Sequence, residues 1–285
     1  MSKGVLLFAR NNSQVDYLKQ AYWLAIRASK QLNLPTSVVT DDIDYLKTNY
    51  PDYDTVFDNV IVHEYTNNFT TKRYHDGALS QKKLDFKNDT RPLAYDLSPY
   101  DETLLIDTDI VIADDNFLQC FDQDKNFLIY KDAYDLAQFR DYREFEYISD
   151  TGVDFYWATC IFFRKTPENK IYFDLVQHVQ ENWQHYNSIF QINSNVYRND
   201  HAFSVAIHIM NGYQSGDFAG KMPGKLFYTT DKDELIELND NKFMFLLEKE
   251  NHVGEYTAIK FKNNTVHVMN KFSLNRIIDK ELADV

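Results

Sequence analysis

Cysteine is scarce. Cys120 and Cys160 are the only two in 285 residues, and they stand in unrelated contexts. No Cys-x-x-Cys pair or Cys/His zinc spacing occurs, so neither a disulfide framework nor a zinc ribbon is expected. Glycine and proline are also few, at eight and six, which excludes collagen-like and low-complexity chains. No apolar run approaches the roughly 18 residues that a membrane-spanning helix needs. The run inside "MSKGVLLFARNNSQ" is too short for a signal peptide. The expectation is a soluble, cytoplasmic protein, in a bacterium or a phage-infected host cell. Positive charge is short as well: 30 Lys and Arg face 43 Asp and Glu, a formal net charge of −13. That balance gives no bulk footprint for nucleic acid or an anionic membrane. A local basic patch remains at Lys82, Lys83, Lys87 and Arg91, read as a solvated helix face.

What is present is enough to build a core. Hydrophobic residues make up 44% of the chain, which fits one large domain over residues 1–285. "VLLFARN" (5–11) reads as a buried strand. "SQVD" then suits the start of a helix, and Leu18, Ala21, Ala25, Ala28 and Leu32 form one apolar helical stripe. "TSVVTDD" (36–42) and "NVIVHEY" (59–65) read as further strands. This strand–helix alternation predicts an α/β fold with a mostly parallel sheet flanked by helices. Residues 66–92 are polar and read as a loop with a short helix. "ETLLIDTD" gives a fourth strand, "NFLIYKD" and "WATCIFFRK" (157–165) two more. Helices are expected around Tyr172–Trp183 and over 199–212. From 225 on, strand-like pieces predict a mixed, partly antiparallel C-terminal part. The chain divides into a half over 1–115 and a second half over 116–285.

In an open parallel sheet, ligands sit beyond the carboxyl ends of the strands. Three of those ends are polar here: Arg10-Asn11-Asn12, Asp41-Asp42 and Asp107-Thr108-Asp109. The last is the most telling. Asp107 and Asp109 follow "TLLI" and precede "IVI", an unusual setting for a solvated loop. Two carboxylates one residue apart repel unless a cation or a proton lies between them. A hard divalent cation, Mg²⁺ or Mn²⁺, is the natural partner and is commonly shared with substrate phosphates. Such an ion would neutralise charge developing on a leaving diphosphate. The plainer alternative is a polar loop after a strand.

"SPYDETLLIDTDIVIADDNFLQCF" resembles the nucleotide-sugar and metal segment of GT-A fold glycosyltransferases, most closely the glycogenin-like and bacterial galactosyltransferase branch. The resemblance implies a Rossmann-like first half that binds a nucleoside diphosphate sugar, UDP-linked in the first instance, with Mn²⁺ or Mg²⁺. It covers most of the chain in element order and is specific at this segment and at the tail, "TVHVMNKFSLNR". There it implies that His267 is a further metal ligand and that Lys271 contacts the diphosphate. The branch usually has Gly between these two and Pro after the Lys, whereas this chain has "HVMNKF". The resemblance further places the base and ribose at Ala9, Arg10 and Asn11. Tyr17 and Asp41 are softer carry-overs for the nucleotide, and Arg91 for the diphosphate. "NDHAF" resembles the acidic element beside the transferred sugar, which implies Asp200 as the catalytic-site carboxylate and His201 as second choice. Helix capping explains Asp200 equally well. Trp157 and Tyr156 are candidates for stacking on a sugar.

The resulting expectation is metal-dependent transfer of a sugar to a hydroxyl acceptor, with retention of configuration implied by the resemblance alone. The acceptor is expected to be a neutral glycan, a lipid-linked glycan or a small molecule. A phage-type enzyme acting on hydroxymethylated DNA is the runner-up, its only basic stretch being Lys72 to Arg91. A non-catalytic sugar-binding module is a third reading. A sugar nucleotidyltransferase is disfavoured, because "FARNNSQVDYL" has no glycine for a phosphate loop.

Overall fold

The computed structural model describes residues 1–64, 70–87, 89–138, 140, 145–149, 152–192, 194 and 196–283. In chain order the first half gives β1 (Lys3–Phe8), α1 (Tyr17–Leu32), β2 (Thr36–Thr40), α2 (Ile43–Asn49), α3 (Tyr53–Val56), β3 (Asn59–Val62), β4 (Thr70–His75), β5 (Gln81–Phe86), α4 (Ala94–Leu97), β6 (Glu102–Ile106) and β7 (Ile110–Val111). The second half adds β8 (Phe127–Tyr130), β9 (Ala133–Asp135), β10 (Trp157–Arg164), α5 (Pro167–Glu181), α6 (Trp183–Ile189) and α7 (Asn199–Met210). It ends with β11 (Gly220–Lys221), β12 (Leu226–Thr229), β13 (Glu234–Asn239), β14 (Lys242–Glu248), β15 (Tyr256–Lys262), β16 (Val266–Val268) and α8 (Lys271–Ala283).

The central sheet has seven strands in the order β11-β8-β10-β6-β1-β2-β3. Only β10 runs against its neighbours, so the sheet is mostly parallel. Its apolar runs are buried on both faces, as such strands must be when helices cover them: Val5, Leu6, Leu7, Leu104, Leu105 and Ile106 have no solvent exposure. Gly4 is needed in β1 because the Tyr100 ring lies 2.3 Å from where a Cβ would stand. That ring is held by the contact of its hydroxyl with Ser37 Oγ at 2.7 Å. Helix α1 buries the predicted stripe, but its cap is Asp16, which accepts from the Lys19 N–H, rather than Ser13. It ends at Asn33 in the left-handed region, ahead of Pro35.

Two differences from the sequence reading matter for the site. The polar stretch after β3 holds a β-hairpin, β4 with β5, in place of most of the expected loop, and a short helical turn only at its end, over Arg91–Leu93. Lys82 and Lys83 therefore lie on a strand; Tyr65–Phe69 and Asn88 lie outside the described residues. The tail also forms a helix, α8, whose Leu274, Ile277 and Ile278 are buried and which packs on α1. Its apolar positions recur at helical spacing, a signal not read from the sequence, while the strand expected just before it is present as β16. Beside the main sheet stand a four-stranded sheet, β7-β16-β12-β9, and an antiparallel three-stranded sheet, β13-β14-β15.

Candidate active site

The end of β6 and the tail meet through strand pairing. β7 and β16 run antiparallel with His267 opposite Ile110 and Val266 opposite Val111. The ladder extends one step further, where the Val268 N–H donates to the Asp109 carbonyl at 2.9 Å. This register sets the imidazole beside the carboxylate, with His267 Nε2 3.1 Å from Asp109 Oδ2. Asn270 then starts α8: its side chain accepts from the Ser273 N–H at 3.0 Å and donates to the Asp233 carbonyl at 2.8 Å. Lys271 is thus the first residue of the helix, and its Nζ donates to Asp109 Oδ2 at 2.6 Å. "HVMNKF" brings a His and a Lys onto one carboxylate without the glycine of the resembling branch.

Asp107 is held separately. Its N–H donates to the Thr159 carbonyl of β10 at 2.9 Å. Its carboxylate meets Arg91 Nη1 at 2.5 Å, and Arg91 Nη2 donates to the same Thr159 carbonyl at 3.0 Å. The guanidinium is buried, while 39% of the Asp107 side chain is exposed, facing the cavity. One ligand atom from each of Asp107, Asp109 and His267 can be chosen so that all lie within 4.8 Å of one another. Hard carboxylate oxygens with one imidazole suit a divalent first-row ion or Mg²⁺, so the residues fit the expected metal. His267 Nδ1 is buried and unpartnered among the described residues, so no second hydrogen bond fixes the ring.

The two acids titrate apart. Burial pushes Asp107 up to about 6; Arg91 opposes that shift and the charge on Asp109 adds to it. Burial acts on Asp109 too, but Lys271 and His267 outweigh it and hold that carboxyl well below the usual range. Asp109 with Lys271 is a buried pair that stays ionised; Asp107 is the carboxylate whose charge depends on what is bound.

These residues face a cavity of about 880 Å³. Among the described residues that line it, ten are Lys or Arg and six Asp or Glu. A chain of net charge −13 has gathered positive charge at one place. Arg10, Tyr17, Arg91, Asp107, Asp109, Asp200, His267 and Lys271 all line it. Ala9, Asn11 and Asp41 do not. Asp41 accepts from Arg10 Nε at 2.9 Å, and Arg10 Nη1 reaches Asp89 at 3.3 Å. Asn11 Oδ1 accepts from the Leu18 N–H at 3.0 Å, near the start of α1. The Tyr17 hydroxyl donates to that of Tyr74 at 3.2 Å, and burial raises its pKa. Asp200 accepts from the Ala158 N–H at 3.0 Å and from Arg198 at 3.1 Å, so it is oriented from two sides. His201 packs parallel to the Trp183 ring, and burial lowers it to about 4, which keeps it neutral. Trp157 is almost fully buried among Phe145, Phe155 and Tyr228, which leaves no open ring face for a sugar.

Sequence reasoning missed the rest of the lining. Arg140 forms a buried ion pair with both Asp135 and Asp233, at 2.7 Å to each, and Arg198, at the N-cap position of α7, makes no side-chain cap and donates to Asp200 instead. Neither belongs to a local motif; long-range folding alone brings Arg140 to Asp233.

No protein-family model and no curated protein matches this chain. Among solved structures it is similar to the glycosyltransferase GlyE of Streptococcus pneumoniae TIGR4, with a TM-score of 0.44 and 10% identity over 78% of this chain and 45% of that one. It is also similar to the galactosyltransferase LgtC, solved in complex with donor and acceptor sugar analogues, with a TM-score of 0.43 and 10% identity over 80% of this chain and 73% of that one. The chain therefore spans less than half the length of the GlyE chain it matches.

Proposed function

We propose that this chain is a GT-A type glycosyltransferase that moves a sugar from a nucleoside diphosphate donor, UDP-linked in the first instance, to a hydroxyl on a glycan or small molecule. The observation that carries the reading is the convergence of Asp107, Asp109 and His267 in a cavity with Arg91 and Lys271 already on the two carboxylates. The charges explain why the parts belong together. Two carboxylates and two cations sum to zero. A divalent ion alone would leave the site positive, and a diphosphate restores the balance. Metal and donor are therefore expected to bind cooperatively, each improving the other's electrostatics.

In this reading Asp107, Asp109 and His267 would hold Mn²⁺ or Mg²⁺, which when bound would supply Lewis-acid stabilisation of a leaving diphosphate. Arg91 and Lys271 are positioned to turn from the carboxylates toward phosphate oxygens and share that charge. Asp200, fixed by Ala158 and Arg198, orients the transferred sugar. Arg10 and Tyr17 line the nucleotide end, with Asp41 and Asn11 holding Arg10 and α1 in place and Ala9 buried behind them. We propose retention of configuration and a single catalytic domain.

The structure weakens the case for DNA as acceptor. Lys72, Arg73, Lys87 and Arg91 line the cavity, whereas Lys82 and Lys83, exposed on opposite faces of β5, do not. A thermal-denaturation panel of UDP-, GDP- and CMP-linked sugars, with and without Mn²⁺, tests the reading. Stabilisation by one class that needs the metal supports it; no response to any of them contradicts it.

A further inference from the structure

We propose that Asp231 is the acceptor-binding carboxylate of the site, taking hydrogen bonds from the hydroxyls of an uncharged sugar that receives the transferred one. The proposal rests on the glycosyltransferase reading and adds the acceptor's chemical class and its contact.

It starts from the acids that line the cavity. Asp107 meets Arg91, Asp109 meets Lys271 and His267, and Asp200 accepts from the Ala158 N–H and from Arg198. Glu248 faces Lys232 at 3.6 Å and accepts from the Gly254 N–H at 3.2 Å. Glu250 stands exposed in the turn after β14. Asp231 lines the same cavity and is half-buried, yet it makes no hydrogen bond or ion pair with any described residue. The Lys72 ammonium feels its charge without pairing with it. A carboxylate kept partly from water with no donor on it is unfavourable until a ligand supplies one.

The turn that carries Asp231 is braced. Asp231 and Lys232 are its central residues, and the Asp233 N–H closes it on the Thr230 carbonyl at 3.2 Å. Asp233 Oδ2 accepts from the Thr230 N–H at 2.7 Å and from the Thr230 hydroxyl at 3.0 Å. Arg140 holds both oxygens of Asp233, and Asn270, which caps α8, donates to the Asp233 carbonyl at 2.8 Å. This buried network touches neither the metal ligands nor the cations on them; it fixes the turn that presents Asp231. A group fixed in advance loses less freedom when a ligand binds.

Topology says which part of the substrate Asp231 meets. β7 follows β6 and β9 follows β8, so the sheet β7-β16-β12-β9 reaches from the carboxyl end of β6 to that of β8. In the main sheet β8 lies on the side of β6 away from β1 and β2, whose carboxyl ends lead to Arg10 and Asp41. β12 runs parallel to β16 with Tyr228 opposite His267. Asp231 therefore leaves its strand at the same end as the metal site, one strand farther from the nucleotide. Asp200 is already assigned to the transferred sugar, which leaves the second sugar for Asp231. Two carboxylate oxygens suit a pair of neighbouring hydroxyls and repel an anionic sugar.

The test uses the full chain with Mn²⁺, as wild type, D231N and D231A. Melting temperatures with UDP, UDP-glucose and UDP-galactose read the donor side. Titration of lactose, methyl β-galactoside and methyl β-glucoside into protein saturated with UDP and Mn²⁺ reads the acceptor side. The expected result is that at least one glycoside binds wild type and binds D231A about tenfold more weakly, the scale of a hydrogen bond to a charged group. D231N should fall between, and the shift with UDP and Mn²⁺ should be the same in all three. Equal glycoside binding by wild type and D231A, or none by wild type, overturns the proposal while leaving the UDP response standing. Weaker binding of UDP or the UDP-sugars by D231A, with glycosides unaffected, gives Asp231 to the donor and overturns it too. No response of wild type to UDP and Mn²⁺ overturns the UDP-sugar reading and this proposal with it.

Discussion

At the scale of single residues, the chemistry turns on two aspartates one position apart that are given opposite surroundings. Asp109 is neutralised by an ammonium and an imidazole and stays ionised. Asp107 has one guanidinium and a like charge nearby, and burial raises it to about 6. A carboxyl raised in the folded state contributes stability that is present below its unfolded value, about 4, and is lost as pH rises through the folded value. Without metal, the melting temperature should therefore fall as pH goes from about 4 to about 6 and level off above that. With Mn²⁺ the sign reverses, because the ion needs the deprotonated form. Mn²⁺ affinity measured by calorimetry should weaken progressively below about pH 6, approaching tenfold per unit for one competing proton. Mn²⁺ binding that is flat between pH 5 and 7 would remove Asp107 from the ligand set.

At the scale of elements, register and capping put the tail where it is. The β7–β16 pairing places His267, and the Asn270 cap places Lys271. Asn270→Ala should lower stability by about 1 to 2 kcal/mol through loss of the cap, and it should also weaken the response to donor, since Lys271 opens that helix. Denaturant unfolding and a donor titration read the two effects. Ile278→Ala, on the buried face of α8, should cost about 2 to 5 kcal/mol without changing metal affinity in the folded fraction; a loss under 1 kcal/mol would contradict the docking of α8 on α1. These elements also show what the sequence makes legible. Apolar runs that end in acids announce the strands and the site at their carboxyl ends, because burial and charge are local properties. The β4–β5 hairpin is hard to read, since only Tyr74, Leu84 and Phe86 give it an apolar face. Helix α8 is legible in Leu274, Ile277 and Ile278, yet it lies in a segment otherwise read for His267 and Lys271. Arg140 with Asp233 is not legible at all, because that pair exists only once distant segments have folded together.

At the scale of the molecule, an acidic chain encloses a cationic cavity. The acidic exterior disfavours polyanions, while the cavity attracts small ones. Binding of a diphosphate donor should therefore weaken as salt rises, through screening, and a calorimetric titration at low and high NaCl measures this. The central claim is that Asp107, Asp109 and His267 form one metal site that serves a nucleoside diphosphate. Its most direct test is the melting temperature of wild type and Asp109→Asn with UDP, with Mn²⁺, and with both. The account predicts that wild type is stabilised by the pair well beyond the sum of the separate shifts, and that Asp109→Asn folds but loses this excess. Equal stabilisation of the two proteins, or a UDP response in wild type that is indifferent to Mn²⁺, would contradict it.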